Sequence, residues 1–230
     1  MGERLAITEF NQEYECSFIG NIPGSIYGKE IEDLEDKKRL TSVPFDPAYM
    51  VHTAWDIGYK DDTAIIFFQD VGHSINIIDC YSNRNQPFPH YAELLKSKPY
   101  IYEKHYGPFD LETTDFSGSG RTRREVAYQH GIKFRIAPKT LLEDGLHSVR
   151  MLLPRCKIDF EKCKPLIDAL RHYHRAYAEK HKVFKTKPVH DWSSHFADSM
   201  RILATGFQET KYNNIESDKL RNPCATPAGK

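Results

Sequence analysis

The chain has 230 residues, 40% of them hydrophobic, which is enough to bury one core in a single main domain. Its 32 basic and 32 acidic residues cancel. Bulk positive charge therefore gives no support for loose binding to nucleic acid, and any such site has to be a local patch. No apolar run approaches the roughly 20 residues that span a bilayer, and the first residues lack the order of a signal peptide. These features predict an intracellular protein with no membrane partner.

Residues 1–49 are predicted to be a lead-in segment outside the core, with one charged helix from about residue 26 to 40. Within it, Gly24 to Lys29 imitates a phosphate-binding loop, but the spacing is short and Glu30 follows. The chain is therefore not expected to drive ATP-dependent movement by itself.

Residues 50–207 are predicted to form one α/β domain. Three segments rich in β-branched and aromatic residues follow one another at short intervals, at 50–55, 63–68 and 73–80, and predict an antiparallel meander. Residues 208–230 are polar and lack periodicity, so they are predicted to be a disordered tail.

The elements after the meander are predicted to alternate between helix and strand. Predicted strands lie at 109–114 and 133–136, and predicted helices lie at 90–96, 121–130, 142–153, 161–180 and 193–207. With acids at strand ends and on the last helix, this layout predicts a ribonuclease-H-like fold, a mixed central sheet flanked by helices.

Several aspartates lie at the ends of these predicted strands or in the loops between them. Asp56 ends the first strand and precedes Ile57-Gly58, where a glycine lets a metal or phosphate approach the backbone. Asp110 opens the predicted strand at 109–114, and Asp115 at its far end is the competing candidate. Asp61 lies in a hairpin loop. An aspartate in such places also commonly forms a turn, and for Asp61 alone a solvated turn is favoured.

A last group of polar residues begins the final helix. Asp191, His195 and Asp198 are spaced i, i+4 and i+7, which places them on one helical face. Asp191 is favoured as a helix cap, whereas Asp198, one turn in and beside His195, favours metal or DNA chemistry. Hard carboxylate oxygens suit a phosphodiester nuclease, which holds two divalent ions about 4 Å apart.

Two further groups of residues are candidates for binding phosphate or zinc. Gly118-Ser119-Gly120 before Arg121, Arg123 and Arg124 predicts a phosphate contact at a helix start, with a solvated basic helix start as the alternative. The five cysteines have no CxxC pair and no zinc-finger spacing, so reduced thiols are expected and zinc is not.

Five short motifs together resemble the phage terminase large subunit, in that family's order, across about residues 14 to 206. They are Cys16-Ser17-Phe18 with Ile22-Pro23-Gly24 and Tyr27-Gly28-Lys29-Glu30, Val51-His52-Thr53-Ala54-Trp55-Asp56-Ile57-Gly58 with Asp61 and Thr63-Ala64-Ile65, Gly107-Pro108-Phe109-Asp110, Glu143-Asp144-Gly145, and His190-Asp191-Trp192-Ser193-Ser194-His195-Phe196-Ala197-Asp198.

The resemblance implies the C-terminal nuclease half of that subunit, a ribonuclease-H-like endonuclease that cuts concatemeric viral DNA when packaging begins and ends, using Mg²⁺ or Mn²⁺. Motif by motif, its metal aspartates correspond to Asp56, Asp110 and Asp198, with Asp61 as a fourth acid. The family often has a histidine where Phe109 stands, so a role for that histidine is in doubt here.

The same resemblance implies double-stranded DNA, an ATPase motor domain, a small terminase subunit and a portal as partners, in the host cytoplasm. Residues 1–49 would then be a remnant of the link to the ATPase domain. Two alternatives stay open: a junction resolvase, transposase or ribonuclease H with the same acids, and a non-catalytic docking module for the portal or motor.

Overall fold

The described part of the chain forms a mixed β-sheet with helices on both faces, as the sequence predicts. The structure is a computed structural model that describes residues 22–58, 61–114, 120–179 and 182–221, with side chains to residue 207. None of the helices in these ranges is long and apolar enough to cross a bilayer.

Seven of the described strands form the main sheet, in the order β1-β7-β4-β3-β2-β5-β6. The pairs β4/β3 and β3/β2 are antiparallel, which confirms the predicted meander, and the other pairs are parallel. The strands are β1 (Leu40–Thr41), β2 (Val51–Asp56), β3 (Asp62–Val71), β4 (Ser74–Arg84), β5 (Tyr102–Gly107), β6 (Phe134–Ile136) and β7 (Cys156–Asp159). A separate hairpin pairs β8 (Arg175–Ala178) with β9 (Val183–Pro188).

Six helices accompany these strands in the described ranges. Helices α2 and α3 pack on one face of the sheet, and α1, α4, α5 and α6 pack on the other. The helices are α1 (Gly28–Asp36), α2 (Phe88–Ser97), α3 (Arg123–Gln129), α4 (Leu142–Leu152), α5 (Lys164–His172) and α6 (Trp192–Arg221).

The central strand β3 explains why the sheet is covered on both faces. Successive side chains of a strand point to opposite faces. In β3, Ala64, Ile66 and Phe68 belong to the core on one face, and Ile65 and Phe67 belong to the core on the other. An uninterrupted apolar strand therefore needs helices above and below it.

The lead-in segment packs more deeply than expected. Tyr27, Ile31 and Leu34 on the inner side of α1 are fully buried, and β1 pairs in parallel with β7 at the edge of the main sheet. The expectation that these residues lie outside the core is wrong for residues 26–41, because the apolar side of a short amphipathic helix is buried against the core. Whether residues 1–49 once linked to another domain stays a prediction.

The prediction of a strand at 109–114 is wrong. The strand in this part of the chain is β5 (Tyr102–Gly107), which ends before those residues. Pro108 has no backbone N–H to donate to the ladder, so the strand ends before it. The chain then forms a short 3-10 helix, Phe109–Glu112, which carries Asp110. Asp115 lies outside the described residues, as does Gly118-Ser119.

The prediction of one long helix at 161–180 is also wrong. Only Lys164–His172 is helical, and it begins next to Pro165, which is tolerated in a first turn. After it the chain turns into β8 and β9, where Tyr177 and Phe184 face each other with ring centroids 5.1 Å apart. This cross-strand aromatic pair favours a hairpin over a continued helix. The last helix runs to Arg221, whereas we expected it to end near Phe207; the disorder predicted for the tail is otherwise untested.

Candidate active site

Two of the predicted acids follow neighbouring parallel strands. Asp56 is the last residue of β2, and Asp110 lies in the 3-10 helix directly after β5. Because β2 and β5 are parallel and adjacent, their carboxyl ends open onto the same edge of the sheet. Burial raises the pKa of Asp110, and the negative charge of Asp56 raises it further. The two carboxylates therefore interact electrostatically at this edge of the sheet.

Asp110 is held by close packing beneath it. A Cβ added at Gly107 would lie 2.4 Å from Leu111 Cδ1 and 2.9 Å from Phe134 Cδ1, so only glycine lets the 3-10 helix fold back onto β5 and β6. The Oδ1 atom of Asp110 is buried and accepts no hydrogen bond from any described residue. An unpaired buried carboxylate oxygen is costly, which makes this atom a candidate cation ligand.

Asp198 approaches from α6 on the opposite face. Its Oδ1 lies 2.8 Å from Arg201 Nη2, one helical turn further along. Burial raises the pKa of Asp198 to about 6; the Arg201 guanidinium opposes this rise and the charge of Asp56 adds to it. The charge of Asp56 therefore raises the pKa of both other acids.

His195 and Ser199 connect α6 to Asp56. His195 Nδ1 lies 3.4 Å from Asp56 Oδ2, and this hydrogen bond raises the pKa of the imidazole. The Asp56 backbone N–H donates to Ser199 Oγ (3.1 Å), and Ser199 Oγ in turn donates to the Ala64 carbonyl (2.9 Å). The hydroxyl thus fixes the position of the helix against β2 and β3, and with it the position of Asp198.

Asp191 has the capping geometry that the sequence favours. Its Oδ1 accepts from the Ser193 backbone N–H at 2.8 Å and from Ser193 Oγ at 2.5 Å. These contacts use the carboxylate to satisfy a free amide at the start of α6. Asp191 therefore has a structural role that Asp198, inside the helix, does not have.

Asp61 lies on the histidine side of the site. Its carboxylate is 3.8 Å from His190 Nε2 and its side chain is 60% exposed. His190 also contacts Ser194 Oγ through Nδ1 and packs edge-on against His195. Asp61 is thus linked to the site through histidines and is open to solvent, which fits a peripheral fourth acid better than a central one.

The three predicted DNA-binding arginines surround the start of α3 but face different neighbours. Arg123 lies close enough to Asp110 for its charge to oppose the rise in that carboxyl's pKa that burial causes. Arg124 pairs with Glu112 at 2.7 Å, and Arg121 lines the same surface depression as Arg124. The charge of Arg123 therefore acts on one of the predicted metal ligands.

The donor set suits a hard divalent cation, but the carboxylates are not gathered around a shared point. In the described ranges, no three histidine, cysteine, aspartate or glutamate side chains are placed to hold one metal ion together. Asp198 instead faces Arg201 and Asp56 faces His195, while Asp110 keeps an unpaired oxygen. Oxygen ligands and an orphaned carboxylate atom fit Mg²⁺ or Mn²⁺ once the side chains turn inward.

Sequence reasoning missed Ser199 and Arg201. Arg201 stands at i+3 from Asp198, a spacing at which opposite charges meet on a helix, so the pattern carried a usable signal. Ser199 carried none, because its bonds to Asp56 and Ala64 depend on how α6 crosses the sheet.

The fold is that of the nuclease domains of phage large terminases, which confirms the predicted ribonuclease-H-like architecture. The nuclease domain of the P22 large terminase superposes with a TM-score of 0.54, covering 81% of this chain and 90% of that one at 17% identity. The nuclease domain of the large terminase g2p from bacteriophage SPP1, solved with bound Mn, gives a TM-score of 0.52 over 70% of this chain and 86% of that one at 16% identity.

In sequence, the chain is similar to the terminase large subunit of Escherichia phage T5, with 28% identity over 200 residues, 84% of this chain. The aligned region is 44% of that relative, so the chain spans less than half of its length. No family model matches the chain. These findings confirm the resemblance that the sequence motifs indicate.

Proposed function

We propose that this chain is a metal-dependent DNA endonuclease, the nuclease part of a phage terminase large subunit that cuts concatemeric viral DNA when packaging begins and ends. The observation that carries the proposal is that Asp56 and Asp110 follow the adjacent parallel strands β2 and β5, where Asp110 keeps a buried oxygen with no partner among the described residues. The charge of Asp56 also acts on Asp198 from α6. The similarity to the T5 terminase large subunit supports it.

Asp56, Asp110 and Asp198 would hold the divalent cation, Mg²⁺ or Mn²⁺ and two ions in the full site, with Asp61 as the outer acid. Bound ions supply an activated water and stabilise the leaving oxygen of a phosphodiester. The chain's own residues position the carboxylates: His195 orients Asp56 through its hydrogen bond, and Ser199 fixes the Asp56 backbone.

Asp198 has to leave its ion pair with Arg201 to reach a cation, and its burial makes the unpaired carboxylate favour one. Arg123, whose charge acts on Asp110, would contact a DNA phosphate next to the acids. Double-stranded DNA is the proposed substrate. The ATPase motor domain, small terminase subunit, portal and host cytoplasm follow from the family as proposals for the full-length protein.

Cleavage of supercoiled plasmid in Mn²⁺ tests the proposal. Asp56→Ala and Asp110→Ala should abolish nicking without lowering the melting temperature, because each removes a cation ligand without opening a core cavity. Asp33→Ala is the matched control, since its half-exposed side chain lies on α1, away from the site.

If the wild-type chain leaves the plasmid supercoiled at every Mn²⁺ concentration, the result supports a non-catalytic docking module instead. Loss of nicking in Asp115→Ala with retention in Asp110→Ala would assign the middle ligand to Asp115.

A further inference from the structure

A basic groove lies on the face of the sheet covered by α2 and α3. The cavity has a volume of about 900 Å³ and is bounded by the end of α2, the start of β5, and β6. One acid, Glu103, lines it. The basic residues that line it are Lys96, Lys98, Lys104, Arg124, Lys133 and Arg135.

Part of this positive charge is not neutralised by the protein. Lys98 pairs with Asp79 at 2.6 Å and Lys104 pairs with Glu103 at 2.9 Å, whereas Lys133 and Arg135 have no carboxylate within 4 Å among the described residues. The Lys96 pair with Glu93 is largely exposed, and such pairs contribute little, so Lys96 can exchange its partner for another anion.

The groove lies at the amino end of β5, and a second cavity along α3 connects it with the candidate active site. This second cavity, of about 540 Å³, is lined by Ile57 and Gly58, which follow Asp56, and by Arg123. His130, at the end of α3, lines both cavities. A duplex bound in the groove would therefore follow α3 from His130 to Arg123 to reach the acids.

We propose that this groove binds the sugar-phosphate backbone of duplex DNA beside the cut, an inference that rests on the proposed function. Its cations are spread over α2, β5, α3 and β6 around a cavity of about 900 Å³, which is far more space than a single phosphate fills. Cations on several elements can each contact a different phosphate of one DNA strand, and such contacts set affinity and register without reading sequence.

The test is the salt dependence of binding to a 40-base-pair duplex in Ca²⁺, using the full chain with Lys96→Gln, Lys133→Gln and Arg135→Gln combined. Each lost phosphate contact lowers the slope of log affinity against log salt by about 0.9, so the slope should fall by roughly two to three. The matched control removes three exposed cations elsewhere, Lys37→Gln, Lys157→Gln and Lys164→Gln, and should keep the wild-type slope.

If the triple variant melts early, the double variant Lys96→Gln, Lys133→Gln, which changes exposed side chains, should still lower the slope by roughly one to two. An unchanged slope in a folded variant overturns the inference, and Mn²⁺-dependent nicking by the wild-type chain would then leave the nuclease proposal standing. Saturable binding of inorganic tripolyphosphate that the triple variant loses, without a change in DNA affinity, would identify a small-anion pocket and also overturn it.

Discussion

Asp198→Asn should stabilise the metal-free protein at neutral pH. Burial raises the pKa of Asp198 to about 6 in the folded state, even with Arg201 beside it. Each pKa unit corresponds to about 1.4 kcal/mol, so the ionised carboxylate costs the fold up to about 3 kcal/mol. Screening at the 27% of the side chain that is exposed reduces this to about 2 kcal/mol. For a domain of this size, that is an increase in melting temperature of roughly 4 to 8 °C.

The pH dependence of this gain identifies its origin. Between the ordinary carboxyl pKa and about 6, folded Asp198 keeps a proton that the unfolded chain releases, so wild-type stability falls as pH rises through this window. Asparagine does not titrate. The stability difference between variant and wild type should therefore open between about pH 4 and pH 6 and stay constant above it.

Thermal melts in EDTA across this pH range measure the difference, with Asp191→Asn as the control. Asparagine caps a helix about as well as aspartate, so Asp191→Asn should keep both stability and cleavage. Asp198→Asn should lose cleavage. A gain in stability that is independent of pH, or a less stable Asp198→Asn at pH 8, would refute the burial argument. Loss of cleavage in Asp191→Asn alone would make Asp191 the third ligand.

Two further predictions concern the assembly of the site. Millimolar Mn²⁺ should raise the melting temperature of the wild-type chain, because the cation binds the folded acids in preference to the unfolded chain, and Asp56→Asn should lose most of that rise; equal shifts in both proteins would place the ion elsewhere. Gly107→Ala should cost about 1 to 3 kcal/mol and reduce cleavage, because its Cβ would displace Leu111 and the neighbouring Asp110. Cleavage is measured below the melting temperatures of both Gly107→Ala and the core variant Val149→Ala, which is destabilised away from the acids. A loss of cleavage in Gly107→Ala alone then reports displacement of Asp110 and not destabilisation.

The sequence predicts the meander and the position of Asp56 at the end of β2 for a local reason. Strands β2, β3 and β4 are apolar, contiguous and joined by short turns, so their pairing is decided by neighbours in the chain. Asp56 stands at the end of such a strand and is therefore placed by local pattern alone. The role of Asp191 as a cap is local as well, since its partner is two residues away.

The elements that sequence reasoning missed depend on distant contacts. Strand β7 is four residues long and exists because it pairs with β4 and β1, more than 70 and 110 residues earlier in the chain. The helix predicted at 161–180 fails for the same reason: the backbone after His172 bonds to residues 24 and 26 rather than continuing its own turns. Local propensity cannot report partners of this kind.

The crossing of α6 over the sheet also sets the order in which the site can form. Asp56 and its hydrogen-bond partner His195 are 139 residues apart, and Asp198 follows three residues later. At roughly 5 to 20 residues per second, a ribosome needs about 7 to 30 seconds to proceed from the first acid to the last. Until then the meander can pair and the first two acids can meet, but the third is missing. A growing chain of this protein therefore acquires its complete set of acids only after nearly all of its core has been synthesised.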